Sequence, residues 1–138
     1  MGQLMVNETL LRTYIEGFDG KPVTYGLDDC APFAGKWVEM ATGRKLAIPH
    51  YDSREGGQEL IRSAGSLLAL CDGLMSDAGF GERYDEPQLG DVAILRTNAF
   101  GDVGGIFAHA GIFLWRHSEG VGVVCPRARY IQKVWAIA

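Results

Sequence analysis

The strongest constraint on this chain is a change of hydrophobic period at Pro87. Before it, apolar residues recur at steps of three and four, the spacing of a helix with one buried face. After it come short runs rich in β-branched and aromatic residues, separated by Gly, Asn, Ser or Pro, which is the pattern of paired strands. Helices first and strands later predict an α+β domain, because a doubly wound sheet would need the two kinds of element to alternate. At 138 residues, with no linker-like, repetitive or low-complexity tract, the chain reads as a single domain over 1–138.

The first helix is expected from roughly Asn7 to Phe18, with Leu10, Leu11, Tyr14, Ile15 and Phe18 on one face and Asn7 as N-cap. Gly17, Gly20 and Pro22 end it. After an extended piece, Val23 to Gly26, the stretch Leu27-Asp28-Asp29-Cys30-Ala31-Pro32-Phe33 carries a helix-start signature: acidic residues able to cap, then proline in the first turn. That helix should run to about Thr42, burying Phe33 and Trp37, with Gly43 as its stop. A further helical stretch spans about Gln58 to Ala78, with Gly65-Ser66 as a point where it can split. Four strands follow, Asp91 to Arg96, Ile106 to Arg116, Val121 to Cys125 and Tyr130 to Ile137, and they should pair as an antiparallel sheet. The glycine-rich Gly101-Asp102-Val103-Gly104-Gly105 lacks the Lys-Ser/Thr of a phosphate loop and reads as a loop between strands. Asp91, after Gly90, reads as a residue bonding local backbone at a strand entry.

Composition narrows the partners. The net charge is -4, and Lys and Arg are scattered, so no basic stripe exists to follow a nucleic-acid backbone. The apolar runs are too short for a membrane-spanning helix, and the first residues lack the basic start and apolar block of a secretory signal, so cytoplasmic synthesis is expected. Three cysteines, Cys30, Cys71 and Cys125, are too few and too scattered for a disulfide framework. No metal-ligand spacing occurs, and neither a metal nor another cofactor is expected.

Cys30 is the most informative position. A cysteine in the first turn of a helix faces unpaired N–H groups and the positive end of the dipole, which lower a thiol pKa and favour the nucleophilic thiolate. The alternative is a small buried hydrophobe beside Phe33. Asp28 and Asp29 cut both ways: one can cap the helix, while adjacent carboxylates oppose thiolate formation unless they point away. A base would have to be a histidine. His109 falls inside an expected strand among small neighbours, as Phe107-Ala108-His109-Ala110-Gly111, where another element or a substrate could approach. His50 and His117 fall in polar turns and read as surface residues, whereas Cys71 and Cys125 read as core.

In order, Tyr25-Gly26-x-x-Asp29-Cys30 opening a helix, Gly90-Asp91-Val92 opening a strand and His109-Ala110-Gly111-Ile112 on the next strand resemble the NlpC-type papain-like cysteine peptidases. The fuller pattern, from Leu10-Leu11-x-x-Tyr14 through Trp37-Val38-x-x-x-Thr42-Gly43 and Arg62-x-x-Gly65 to Val134-Trp135-Ala136-Ile137, is similar to a small phage and prophage branch whose members lie among tail-assembly genes. The resemblance implies a papain-like fold, helices packed on a C-terminal antiparallel sheet. It implies Cys30 attacking an amide carbonyl in a peptidoglycan stem peptide, with His109 as base and then acid. Backbone at the helix-start residues Asp29 and Ala31 would hold the oxyanion, and Tyr25 and Asp28 would line the cleft. Partners would be murein peptides or tail proteins, in a virion-associated setting. The inactive alternative keeps the same fold as an interaction scaffold. The third polar residue expected on the strand after His109 is missing from Val121-Gly122-Val123-Val124-Cys125, which leaves a backbone carbonyl, His117 or a water to orient the imidazole. Pro32 removes one N–H from the helix start.

Overall fold

The computed structural model describes residues 6–26 and 29–138, at Cys30 the backbone alone. Four helices, α1 (Glu8–Glu16), α2 (Cys30–Thr42), α3 (Arg54–Ala64) and α4 (Leu67–Asp77), precede five strands, β1 (Val92–Thr97), β2 (Gly101–Phe107), β3 (Phe113–His117), β4 (Gly120–Val124) and β5 (Ile131–Trp135). The strands form one antiparallel sheet in the order β4-β3-β2-β1-β5. The architecture is therefore α+β.

Local chemistry sets the helix ends. The Asn7 side chain accepts from Leu10 N–H at 2.8 Å, capping α1. Gly43 closes α2 in the left-handed region at φ 77°. The expected third helix is indeed two, split at Gly65-Ser66, and the Ser66 hydroxyl caps the second by accepting from Ala69 N–H. The first of the two starts earlier than the apolar spacing predicts. Helix α3 begins at Arg54, because Ser53 accepts from Gly56 N–H at 3.0 Å, four residues before the apolar spacing starts at Gln58.

Two strand assignments are corrected. Ile106 to Arg116 is not one strand but the end of β2, a reversal and β3. Ala108 N–H donates to Ile112 C=O at 2.7 Å across a 3-10 turn, His109–Gly111, in which Ala110 and Gly111 both have positive φ. The Gly101–Gly105 stretch is not a loop but most of β2. Its glycines allow close approach: a Cβ on Gly105 would lie 2.2 Å from the Leu114 carbonyl and 2.5 Å from the Phe113 ring.

The core lies between the helices and one face of the sheet. Phe33, Trp37 and Val38 of α2 are fully buried against Ile94, Ile106 and Trp135, and α1 adds Leu11. Val92 and Ile94 face these helices, while Ala93 and Leu95 alternate to the other face, where Val103, Phe107, Phe113 and Val134 form a second apolar cluster. Cys71 packs half-buried against the main core, as expected. Cys125 does not: it follows β4, the outer strand, and is exposed along with Val123 and Val124.

Two buried polar contacts hold α2 and β1 in place. Trp37 Nε1–H donates to Gly90 C=O at 2.8 Å, tying the middle of α2 to the entry of β1. Next to it, buried Asp91 accepts from Gln88 N–H at 2.8 Å, the local bond expected from sequence, and also from Arg83 Nε–H at 2.5 Å. The second bond was not legible.

Candidate functional site

Helix α2 begins at Cys30, and its first turn sits where the chain arrives from Lys21–Gly26. That incoming segment is fastened to the β3–β4 hairpin. Val23 N–H donates to Ser118 C=O at 3.1 Å, and the Arg116 guanidinium donates to Lys21 C=O at 2.7 Å and to Gly120 C=O at 3.0 Å. A groove of about 660 Å³ opens there, lined by Tyr25 and Asp29 on one side, Asp102 at the start of β2, and Arg116 and His117 at the end of β3. A second pocket of about 130 Å³, mostly apolar, adjoins it, with Ala31, Ile48 and Tyr51 in its wall. The two share Tyr25, Asp29 and Arg54.

Asp29 occupies the N-cap position of α2 but makes no side-chain capping bond. One of its carboxylate oxygens accepts from Gly26 N–H at 2.8 Å, and the other accepts from the Tyr51 hydroxyl. The expectation of a capping carboxylate is thus half right, the residue standing at the cap with its charge drawn toward Tyr51. Cys30 and Asp28 were named from sequence; the Cys30 side chain and the whole of Asp28 lie outside the described residues.

His109 is not in this groove. Phe107, two residues before it, accepts from Gly90 N–H at 2.7 Å, so the end of β2 lies beside the middle of α2, where Trp37 bonds Gly90. Asp102, at the groove, and Phe107 are five residues apart on β2, about 17 Å at ~3.4 Å per residue. Trp37 is seven residues into α2 from Cys30, about 10 Å at ~1.5 Å per residue. Both paths put His109 at the far end of the sheet from the start of α2. There it is exposed on the reversal, and its Nδ1 lies 3.8 Å from Glu8 Oε1. The expectation that His109 lies inside a strand is corrected, since it stands on the reversal between β2 and β3; the expected pairing with the Cys30 side chain lies outside the described residues.

His117 takes the other position. It was expected in a surface turn, but it is the last residue of β3, half-buried, with its ring against Trp115 and its Nδ1 accepting from Glu119 N–H at 3.3 Å. His50 is exposed in the loop before α3, as expected. Asp102, Arg54 and Tyr51 were missed. For Tyr51 a signal existed in Gly26, Gly56 and Gly57, residues whose missing side chains make room for it.

Among the described residues no group of three or more His, Cys, Asp or Glu side chains could hold a metal ion, and no helix is long and apolar enough to cross a membrane. No curated protein matches the chain. Residues 4–137, nearly the full length, match a family described as a domain of unknown function, DUF6950, and the chain belongs to that family.

Proposed function

We propose that the protein is a cysteine hydrolase of NlpC-like type that cleaves a peptide amide bond of cell-wall peptidoglycan in a phage or prophage tail context, with Cys30 as nucleophile and His117, not His109, as its imidazole. The observation that carries this reading is the groove that His117 and Tyr25 line together with Asp29, the residue immediately before α2. A thiolate at a helix start is stabilised by the dipole and by N–H groups that lack intrahelical acceptors. It would attack the carbonyl carbon, and those same N–H groups would hold the developing oxyanion. The C–N bond then breaks, the amine leaves with a proton from the imidazolium, and water hydrolyses the thioester with its proton returning to the imidazole. The Glu119 N–H bond to His117 Nδ1 is long and weak, so taking up a proton at Nδ1 displaces little.

A second reading, an inactive tail or assembly protein keeping the fold as a scaffold, is favoured by the position of His109 at the opposite end of β2. One experiment separates them. Purified full-length chain is incubated with murein and released peptides are measured. The hydrolase reading expects release that is abolished by Cys30→Ala, cut about 100-fold or more by His117→Ala, and unaffected by His109→Ala. No release by the parent chain, with Cys30 alkylation by iodoacetamide following an ordinary thiol titration near pH ~8.5, leaves only the scaffold.

A further inference from the structure

Tyr51 stands outside the groove, in the loop between α2 and α3, yet its side chain is fixed more tightly than a loop residue requires. Gly26 has φ 83°, and a Cβ there would lie 1.6 Å from the Tyr51 carbonyl oxygen. A Cβ on Gly57 would lie 2.9 Å from the Tyr51 ring, and one on Gly56 3.3 Å from Tyr51 Cβ. Two glycines in the first turn of α3 thus seat the Tyr51 side chain, while Gly26, ahead of α2, makes room for its main chain. From that seat the phenol donates to Asp29, the residue immediately before the proposed nucleophile.

The other Asp29 oxygen accepts from Gly26 N–H. Both oxygens are therefore engaged, and the carboxylate makes no bond to the first turn of α2, although aspartate at this position ordinarily caps a helix. A carboxylate that did cap would occupy an N–H donor needed for an oxyanion and would bring negative charge toward the thiol, raising its pKa. Pro32 has already removed one donor from this turn, so the remaining ones are few.

We infer that Tyr51 is a positioning residue for Cys30: it holds the Asp29 carboxylate away from the start of α2 and so keeps the first-turn N–H groups for the reaction. The inference rests on the hydrolase reading of the same site. Through its hydroxyl Tyr51 engages Asp29, and it is by that bond that it would act on the start of α2.

The test uses the full chain with Cys71→Ala and Cys125→Ser, so that Cys30 is the remaining thiol, and follows iodoacetamide alkylation from pH 5 to 9. Removing the hydroxyl with Tyr51→Phe leaves the ring in its seat and frees the carboxylate to cap. Alkylation at pH 6 is expected to slow about tenfold, equivalent to the thiol titrating about one unit higher. Adding Asp29→Asn removes the charge, so the double variant should regain most of the lost rate. A Tyr51→Phe profile that overlays the parent overturns the inference. So does a double variant as slow as the single one, since a purely structural tyrosine would not be rescued by removing a charge. Murein release by Cys30→Ala at the parent rate sinks the hydrolase reading itself, whereas its loss together with an unchanged Tyr51→Phe profile sinks only the role of Tyr51.

Discussion

Replacing Arg83 with Met is expected to lower the melting temperature by about 10 °C while leaving the groove intact. Asp91 is 1% exposed, and its carboxylate is met by Arg83 Nε–H at 2.5 Å and Gln88 N–H at 2.8 Å. Methionine keeps the aliphatic stem of Arg83 but leaves a buried carboxylate with one backbone donor. Removing one partner of a buried pair costs about 3–5 kcal/mol. The Arg83 side chain is 18% exposed, so water reaches part of the site and the lower end applies. For 138 residues at ~2.1 cal/mol/K each, the unfolding entropy is about 0.29 kcal/mol/K, and ~3 kcal/mol converts to about 10 °C. Differential scanning calorimetry reads this directly. Because Asp91 lies at the β1 entry, at the Trp37 end of α2, the alkylation profile of Cys30 should not move. A shift below about 2 °C would show that the carboxylate finds other partners or water, and that the pair contributes little to holding β1 and α2 together.

Two further outcomes follow from local geometry. Gly90→Ala should destabilise by about 2 kcal/mol or more in chemical denaturation, since φ is 90° and a Cβ would lie 2.1 Å from the Val6 side chain and 3.4 Å from the Trp37 ring. Asp72→Asn should cost under ~1 kcal/mol at pH 7, because the hydrogen bond from Lys133 holds the Asp72 carboxyl below its ordinary range but the pair is partly exposed. The sign follows from the depressed carboxyl. Its contribution is fully present above the unfolded value near 3.8 and is lost as pH falls through the lower folded value, so parent and variant should converge in acid. A gap that persists at pH 2 would mean that packing, not the charge, is responsible.

Periodicity was enough to find the helices, because Leu11, Phe33 and Trp37 bury at helical spacing and Asn7 and Gly43 punctuate the ends. It failed where small residues serve tertiary approach. Gly104 and Gly105 look like loop but sit within β2, one of them directly against the Leu114 carbonyl, and no local signal distinguishes that use of glycine from a turn. The same blindness hid the reversal at His109, where only the Ala110-Gly111 pair at positive φ breaks an otherwise apolar run. At the groove, Tyr25 and Asp29 were legible from their nearness to Cys30 in sequence. Asp102 and His117 were not, since they arrive by strand register from segments more than 70 residues away.

Strand register also separates His109, on the reversal that precedes β3, from His117 at the end of β3. Phe113 pairs with Phe107 and Val124, and His117 pairs with Gly120, so β3 runs from the reversal to the hairpin with no slack between. Helix α2 is fixed against the same sheet, by Trp37 to Gly90 at one point and by the Arg116 and Val23 bonds that bind the incoming chain to the hairpin. Moving His109 to the start of α2 would break the β2–β3 pairing and the bond between Gly90 N–H and Phe107 C=O. Moving the side chain of His117 needs a change of rotamer, with the loss of one weak bond to Glu119 and of the edge contact with Trp115, and leaves the strand pairing intact. If this sulfur has an imidazole partner among the described histidines, mechanical cost selects His117, and a Cys30 alkylation profile indifferent to His117→Ala but altered by His109→Ala would contradict the register that leads to this choice.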